Sequence, residues 1–326
     1  MTLASLVKTG PAAEPVRLIL QGVEGIGKTT FASEAPGVLF LTPEDGGGDL
    51  DTTRLVVESW KDVLSRVRML LDEPHEYRVL ALDTINALER LCQAHLVAEA
   101  HVATIEDVGG GYGKGYTRST EAQAELVRML DELREKRRMH ILALAHTEIR
   151  TFSDPEGASY DRYQLRMHKG AVGLWTGWAD AVLFANYDVQ VKTEKGSGDA
   201  ALLRKGKAST KAPERVLYTE RRAAFDAKNR YNLPPELPLS WDEFAGAMRW
   251  DERDRAVLAS APPAKAPSVE DVRAAIGHAL RELDWINEEV AALLSEHGAT
   301  KAHELPESVR AAVLAALRVS HTKSKE

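Results

Sequence analysis

The sequence predicts an α/β fold: a mainly parallel sheet flanked by helices, with a β-hairpin extension and a small C-terminal helical domain. Three observations lead there. In the first half, short continuous apolar runs alternate with helix-compatible segments, as strands buried on both faces require. Beyond His146 the pattern changes to a helix-poor, turn-rich run that ends near Pro238. A proline-rich stretch, Ala261–Pro267 (APPAKAP), then sets off a last helical segment, because neighbouring prolines resist helix and favour an extended chain. The 326 residues are enough for two such units, and 44% hydrophobic with 28% charged residues is the mix of an ordinary folded protein.

In order, residues 1–13 read as a flexible start and Val16–Gln21 (VRLILQ) as a strand ending in a glycine-rich turn. Lys28–Glu34 has helix-compatible composition stopped by Pro36, and Val38–Thr42 (VLFLT) is a second strand. Trp60, Leu64, Val67 and Leu71 share one face of a helix. Arg78–Asp83 (RVLALD) is a third strand, followed by helix to about Ala103, the loop Gly109–Gly115, a helix near Glu121–Arg137 and the strand His140–Ala145 (HILALA). Ala181–Asn186 and the segment through Arg204 form the hairpin extension, turning at Gly196-Ser197-Gly198. The core then spans residues 14–250 and a linker 251–267. A unit over 268–320 follows, with helices starting at Ser268, Glu288 and Glu307, and a polar tail over 321–326.

Composition narrows the functional classes. A lone cysteine, Cys92, can form no internal disulfide and leaves no thiol-rich zinc site, which suits a reducing cytoplasm. No secretory leader and no apolar run of membrane-spanning length is read, so no membrane partner is expected. The formal net charge of −7 removes the simplest argument for nucleic-acid binding. Charge is uneven, however: Asp188–Arg230 holds eleven Lys/Arg against six Asp/Glu, a balance of +5. Such a run usually only keeps a surface wet, and a solvated hairpin face is its structural reading.

The segment Gly22-Val23-Glu24-Gly25-Ile26-Gly27-Lys28-Thr29 fits the Walker A pattern, between a strand and a helix. Its glycines let backbone N–H groups curl toward phosphates, and the helix start adds positive dipole. Lys28 is expected on the β/γ-phosphate oxygens of ATP and Thr29 on Mg²⁺, with Thr30 completing the binding segment. Asp83, at the carboxyl end of its strand, is the Walker B acid expected to reach Mg²⁺ through water, although Asp83 or Thr84 could instead cap the next helix. Glu44, just after the second strand, is the candidate for orienting the attacking water, with Asp45 as the alternative. His146, ending its strand, is positioned to touch the γ-phosphate; a polar strand cap is the structural alternative.

The order GVEGIGKT, LTPEDGGG, LALDTINAL and LALAH resembles the RecA-type P-loop ATPase core. More closely, the chain resembles the phage-encoded, RecA-like single-strand annealing ATPases of the Sak type. Gly111-Tyr112-Gly113-Lys114-Gly115-Tyr116, Trp178-Ala179-Asp180 and the run Ala227–Pro234 add to the likeness, which covers about residues 14 to 250. The acidic net charge departs from it. The resemblance implies ATP hydrolysis, action on single-stranded DNA in recombination or strand annealing, and a homo-oligomeric ring or filament with ATP sites between protomers. It also implies a single-strand-binding protein or another replication partner, and assigns Lys228 and Arg230 the place from which cations reach a neighbour's γ-phosphate.

Two segments are candidates for holding DNA. Gly109–Arg118 combines glycines with Tyr112, Lys114, Tyr116 and Arg118, and Asp154–Lys169 carries Arg162, Arg166 and Lys169 with two tyrosines. Cations pair with phosphates and aromatic rings stack on bases. A nucleotide-gated protein such as a helicase loader or assembly switch is the alternative function, in which the partner is another protein.

Overall fold

The computed structural model describes residues 14–43, 52–154, 157–188, 191–193, 206–208, 214–259, 269–282 and 287–317. Two compact units divide at Ala261 and Pro262.

The first unit is built on one sheet. Strands β1 (Arg17–Gly22), β2 (Val38–Thr42), β3 (Arg54–Val56), β4 (Val79–Asp83), β5 (His140–Phe152) and β7 (Ala181–Asp188) run parallel in the order β3-β2-β4-β5-β1-β7. On the β7 side, β10 (Glu214–Tyr218) and then β12 (Glu236–Pro238) add antiparallel, while β11 (Lys228–Asn229) pairs with the beginning of β7. Alternate residues of each central strand enter opposite cores. Ile19, Leu80, Leu82, Ile141 and Ala143 face one, Leu18, Leu20, Ala81, Leu142 and Leu144 the other, so an unbroken apolar run is buried on both sides.

Helices α2 (Trp60–Asp72), α3 (Ile85–Ala100), α4 (Lys114–Glu132) and α5 (Lys169–Trp178) supply buried residues to the first core. Ser59 starts α2 with a full capping box to Asp62. Helix α1 (Lys28–Ser33) covers the second core with α6 (Trp241–Met248) and α7 (Trp250–Ala259). The linker expected from residue 251 therefore begins as helix: Trp250 and Val257 are buried on α7, and Phe31, Trp241, Phe244 and Trp250 interlock with ring centroids 5.0–6.3 Å apart. Apolar residues between two tryptophans and the prolines hold these residues in the core unit.

Other sequence expectations also change. The glycine loop ends at Gly113, because α4 starts at Lys114 and continues as a turn of π-helix to Arg137. Strand β5 runs on past Ala145 and pairs antiparallel with β6 (Tyr160–Leu165), so Tyr160–Leu165 of the second DNA-candidate segment is an arm of a β-hairpin. Ala181–Asn186, expected in the hairpin extension, is instead part of β7 in the main sheet, between β1 and β10; a separate antiparallel pair joins β8 (Val191–Thr193) to β9 (Gly206–Ala208), and the expected turn at 196–198 lies outside the described residues. In the second unit, α8 (Val269–Glu282), α9 (Asn287–Glu296) and α10 (Glu307–Leu317) enclose a small core of Val272, Val290, Leu294, Leu305, Val313 and Leu317.

One buried histidine ties the core's base together. His140 is 1% exposed, accepts the Val16 N–H at Nδ1 (3.0 Å), and places Nε2 3.2 Å from Asp254 Oδ1 on α7. The Val16 donor requires an unprotonated Nδ1, so the ring is neutral with its proton on Nε2. Burial lowers its pKa, opposed by Asp254 and reinforced by Arg253 and Arg78. As pH falls through the ordinary histidine range near ~6.5, the unfolded chain takes up a proton that folded His140 resists, so stability falls toward acid. The urea midpoint of the wild-type protein is expected to drop between pH 7.5 and 5.5, and that drop to shrink in His140→Gln; an equal drop in both would reject the assignment.

Candidate active site

Residues 22–29 form a strand–loop–helix turn whose shape depends on glycine. Gly25 and Gly27 take φ of +71° and +106°, open to glycine and strained for other residues. Ile26 between them is fully buried and anchors the loop in the second core. Lys28 opens α1 with its side chain folded back into the loop. Its ammonium donates to the carbonyls of Gly22 (3.1 Å) and Val23 (2.8 Å) and lies 3.2 Å from His146 Nδ1. At 5% exposure, burial pushes Lys28 down to about 8, while Asp83 and Glu24 pull the other way. Thr29 Oγ1 donates to Asp83 Oδ2 at 2.8 Å. Thr30, next on the helix, is exposed.

Sheet order explains this convergence. Strand β5 lies between β1 and β4, placing His146 opposite Gly22 and Leu144 opposite Asp83. Parallel strands end together, so the loop, Asp83 and His146 share the carboxyl edge of the sheet, where open α/β folds bind ligands. Thr84, not Asp83, is the N-cap of α3, which leaves the Asp83 carboxylate to Thr29. Glu44 and Asp45 lie outside the described residues.

Three side chains without a role in the sequence reading complete the site. Asn86, buried on α3, accepts the His146 N–H at Oδ1 (2.7 Å), while its Nδ2 donates to the carbonyls of His146 (3.3 Å) and Arg166 (2.9 Å). One turn later, buried Glu89 accepts the His168 N–H at 3.2–3.3 Å, and burial raises its pKa. Arg215 of β10 reaches the loop from the other side, donating to the Ile26 carbonyl at 3.4 Å. A buried asparagine three residues after the Walker B acid, on an otherwise apolar stretch, was a readable signal; Arg215 was hidden among the charges of its segment.

The DNA candidates separate into two groups. Lys114 and Arg118 are exposed on the first turns of α4, Lys169 is exposed at the start of α5, and Tyr116 stacks on His168 between them, with centroids 4.3 Å apart. Arg162 is not available to a strand of DNA. It is 3% exposed, 2.6 Å from Asp226 and lies over the Phe152 ring, because its register on β6 points it inward. Arg166 turns toward the phosphate loop and pairs with Glu24 at 2.8 Å.

Lys228 and Arg230 lie at the opposite end of the sheet from the loop, since Lys228 pairs with Val182 and Gly22 with Ala185. The Lys228 ammonium donates to the carbonyls of Thr176, Gly177 and Ala179 at the end of α5 (2.5–3.3 Å), closing a helix C-terminus. Arg230 pairs with Asp180 at 3.1 Å and keeps 58% of its side chain exposed.

The donor set fits a nucleoside triphosphate with magnesium: a glycine turn, an ammonium at its mouth, and a hydroxyl against a carboxylate at metal-binding reach. When bound, ATP and Mg²⁺ bring phosphoryl transfer to water, with the metal offsetting phosphate charge. Among the described residues no helix is long and apolar enough to cross a membrane. A comparison with curated proteins finds no match. The AAA domain family model matches residues 14–231, more than half of the chain and all of the site just described. The chain therefore belongs to the AAA domain family and carries a P-loop ATPase domain.

Proposed function

We propose that this protein is an ATP-hydrolysing, RecA-like motor of the phage annealing type that grips single-stranded DNA according to its nucleotide state. The observation that carries this reading is the mechanical route along α3. Asn86 holds the main chain of His146 and Arg166, and Glu89, one turn on, holds His168. His168 stacks on Tyr116 of α4. A change at the phosphate side of His146 thus has a path of direct contacts to the surface bearing Lys114, Arg118 and Lys169.

That surface suits a flexible polyanion. The turn over residues 109–113 has positive φ at every position, and Tyr112 within it is held at +56° with its ring 99% exposed. An aromatic side chain presented to water in the turn that leads into exposed Lys114 and Arg118 offers base stacking with phosphate pairing. In this reading the protein acts as a ring or filament whose ATP sites lie between protomers, with single-strand-binding or replication proteins as further partners. Arg230 then serves as the cation offered to a neighbour, because Lys228 is engaged with three carbonyls of its own chain.

The test is single-strand binding as a function of salt. Replacing Lys114 and Arg118 with alanine is expected to weaken binding and lower the slope of log K against log salt by ~1.4, about 0.7 per lost phosphate contact. An unchanged slope would reject this surface. ATP turnover of the wild-type protein that DNA leaves unaltered at both low and high salt would favour a protein partner.

A further inference from the structure

Two cations outside the Walker segments reach the phosphate loop: Arg215, which donates to the Ile26 carbonyl, and Arg166, which pairs with Glu24. Arg166 follows β6, and its main chain is fixed to the phosphate edge of the sheet: its N–H donates to the His146 carbonyl at 3.0 Å and its carbonyl accepts from Asn86 at 2.9 Å. Its side chain is placed quite differently. The side chain is 41% exposed and its guanidinium pairs with Glu24, the third residue of the phosphate loop, at 2.8 Å. Its field also acts on the Lys28 ammonium, so the two cations stand over the same loop. An ion pair with both partners open to water is weak and easily exchanged. A terminal phosphate carries more charge than a carboxylate and matches the planar guanidinium fork in the same way.

We propose that Arg166 is a specificity residue for the terminal phosphate of the nucleotide: its guanidinium exchanges Glu24 for a γ-phosphate oxygen, so the site tells triphosphate from diphosphate. No covalent step is involved. Glu24 keeps the guanidinium aimed at the loop, and the fixed main chain limits the exchange to side-chain rotation. The same main chain is held by Asn86 on α3, so the exchange occurs at the start of the route to the exposed cationic surface. The inference rests on reading Gly22–Thr29 as the nucleotide site.

Equilibrium titration of the full chain with ADP and with a non-hydrolysable ATP analogue, both with Mg²⁺, tests it in four proteins: wild type, Arg166→Ala, Glu24→Gln and the double variant. Losing a charge-assisted hydrogen bond is expected to weaken the triphosphate about 10- to 100-fold in Arg166→Ala, with ADP affinity changed by less than ~3-fold. Retained ADP binding also shows that the variant is folded. An equal loss should follow when Arg166 is removed from the Glu24→Gln protein, which itself binds the triphosphate at least as well as wild type. Equal weakening of both nucleotides, or no weakening of either, overturns the proposal. So does a loss seen only while Glu24 is present, since Arg166 would then merely neutralise that carboxylate. A wild-type protein that binds neither nucleotide overturns the phosphate-loop reading itself, an outcome distinct from the others.

Discussion

Lys28→Ala is expected to lower ATP turnover by at least ~10²–10³-fold, the range seen when one preorganised charge-stabilising group is lost. The ammonium is already aimed: two loop carbonyls and His146 hold it at the mouth of the turn, so little reorganisation precedes its contact with phosphate. The fold should survive, because the side chain contacts the loop and contributes nothing to either apolar core. A second readout separates this buried cation from an ordinary surface lysine. Burial lowers Lys28 from 10.5 to about 8, so between those values the unfolded chain keeps a proton that the folded protein has released. Wild-type stability should therefore gain a rising contribution with pH across that window, absent from Lys28→Ala. Turnover that persists in a folded variant would remove the loop from the mechanism.

Phe244→Ala is expected to destabilise the first unit by about 3–5 kcal/mol, as emptying a large buried aromatic site does. Phe244 is fully buried on α6, and its ring meets Phe31, Trp241 and Trp250. Phe31 belongs to α1, the helix that begins at Lys28. Loosening this cluster should therefore weaken nucleotide binding as well as lower the denaturation midpoint. A loss below ~1 kcal/mol would show that α6 is peripheral to the core.

Much of the active site was legible in the chain because its chemistry is local. Gly22–Thr29 is one continuous segment, and its pattern specifies the turn, the ammonium and the hydroxyl together. Asp83 and His146 could be placed at one edge because each closes an apolar run, and parallel strands align their carboxyl ends. The reading failed where direction mattered more than identity. Arg162 and Arg166 are cations in one short segment, yet the first is buried against Asp226 and the Phe152 ring, while the second, just past β6, pairs with Glu24. Lys228 was read as a cation for a neighbour, but β11 sets it against the end of α5.

What the sequence by itself determined is the kind of fold and its phosphate chemistry: apolar period sets the sheet, and a contiguous motif sets the loop. Only the tertiary structure decided that β5 separates β1 from β4, bringing His146 beside Lys28, and that Asn86 and Glu89 link that edge to the surface of α4 and α5. Strand order and side-chain direction arise from contacts between residues about 60 to 120 positions apart. A polar residue in a local pattern records that it needs a partner, while the packing of distant elements settles which partner it meets.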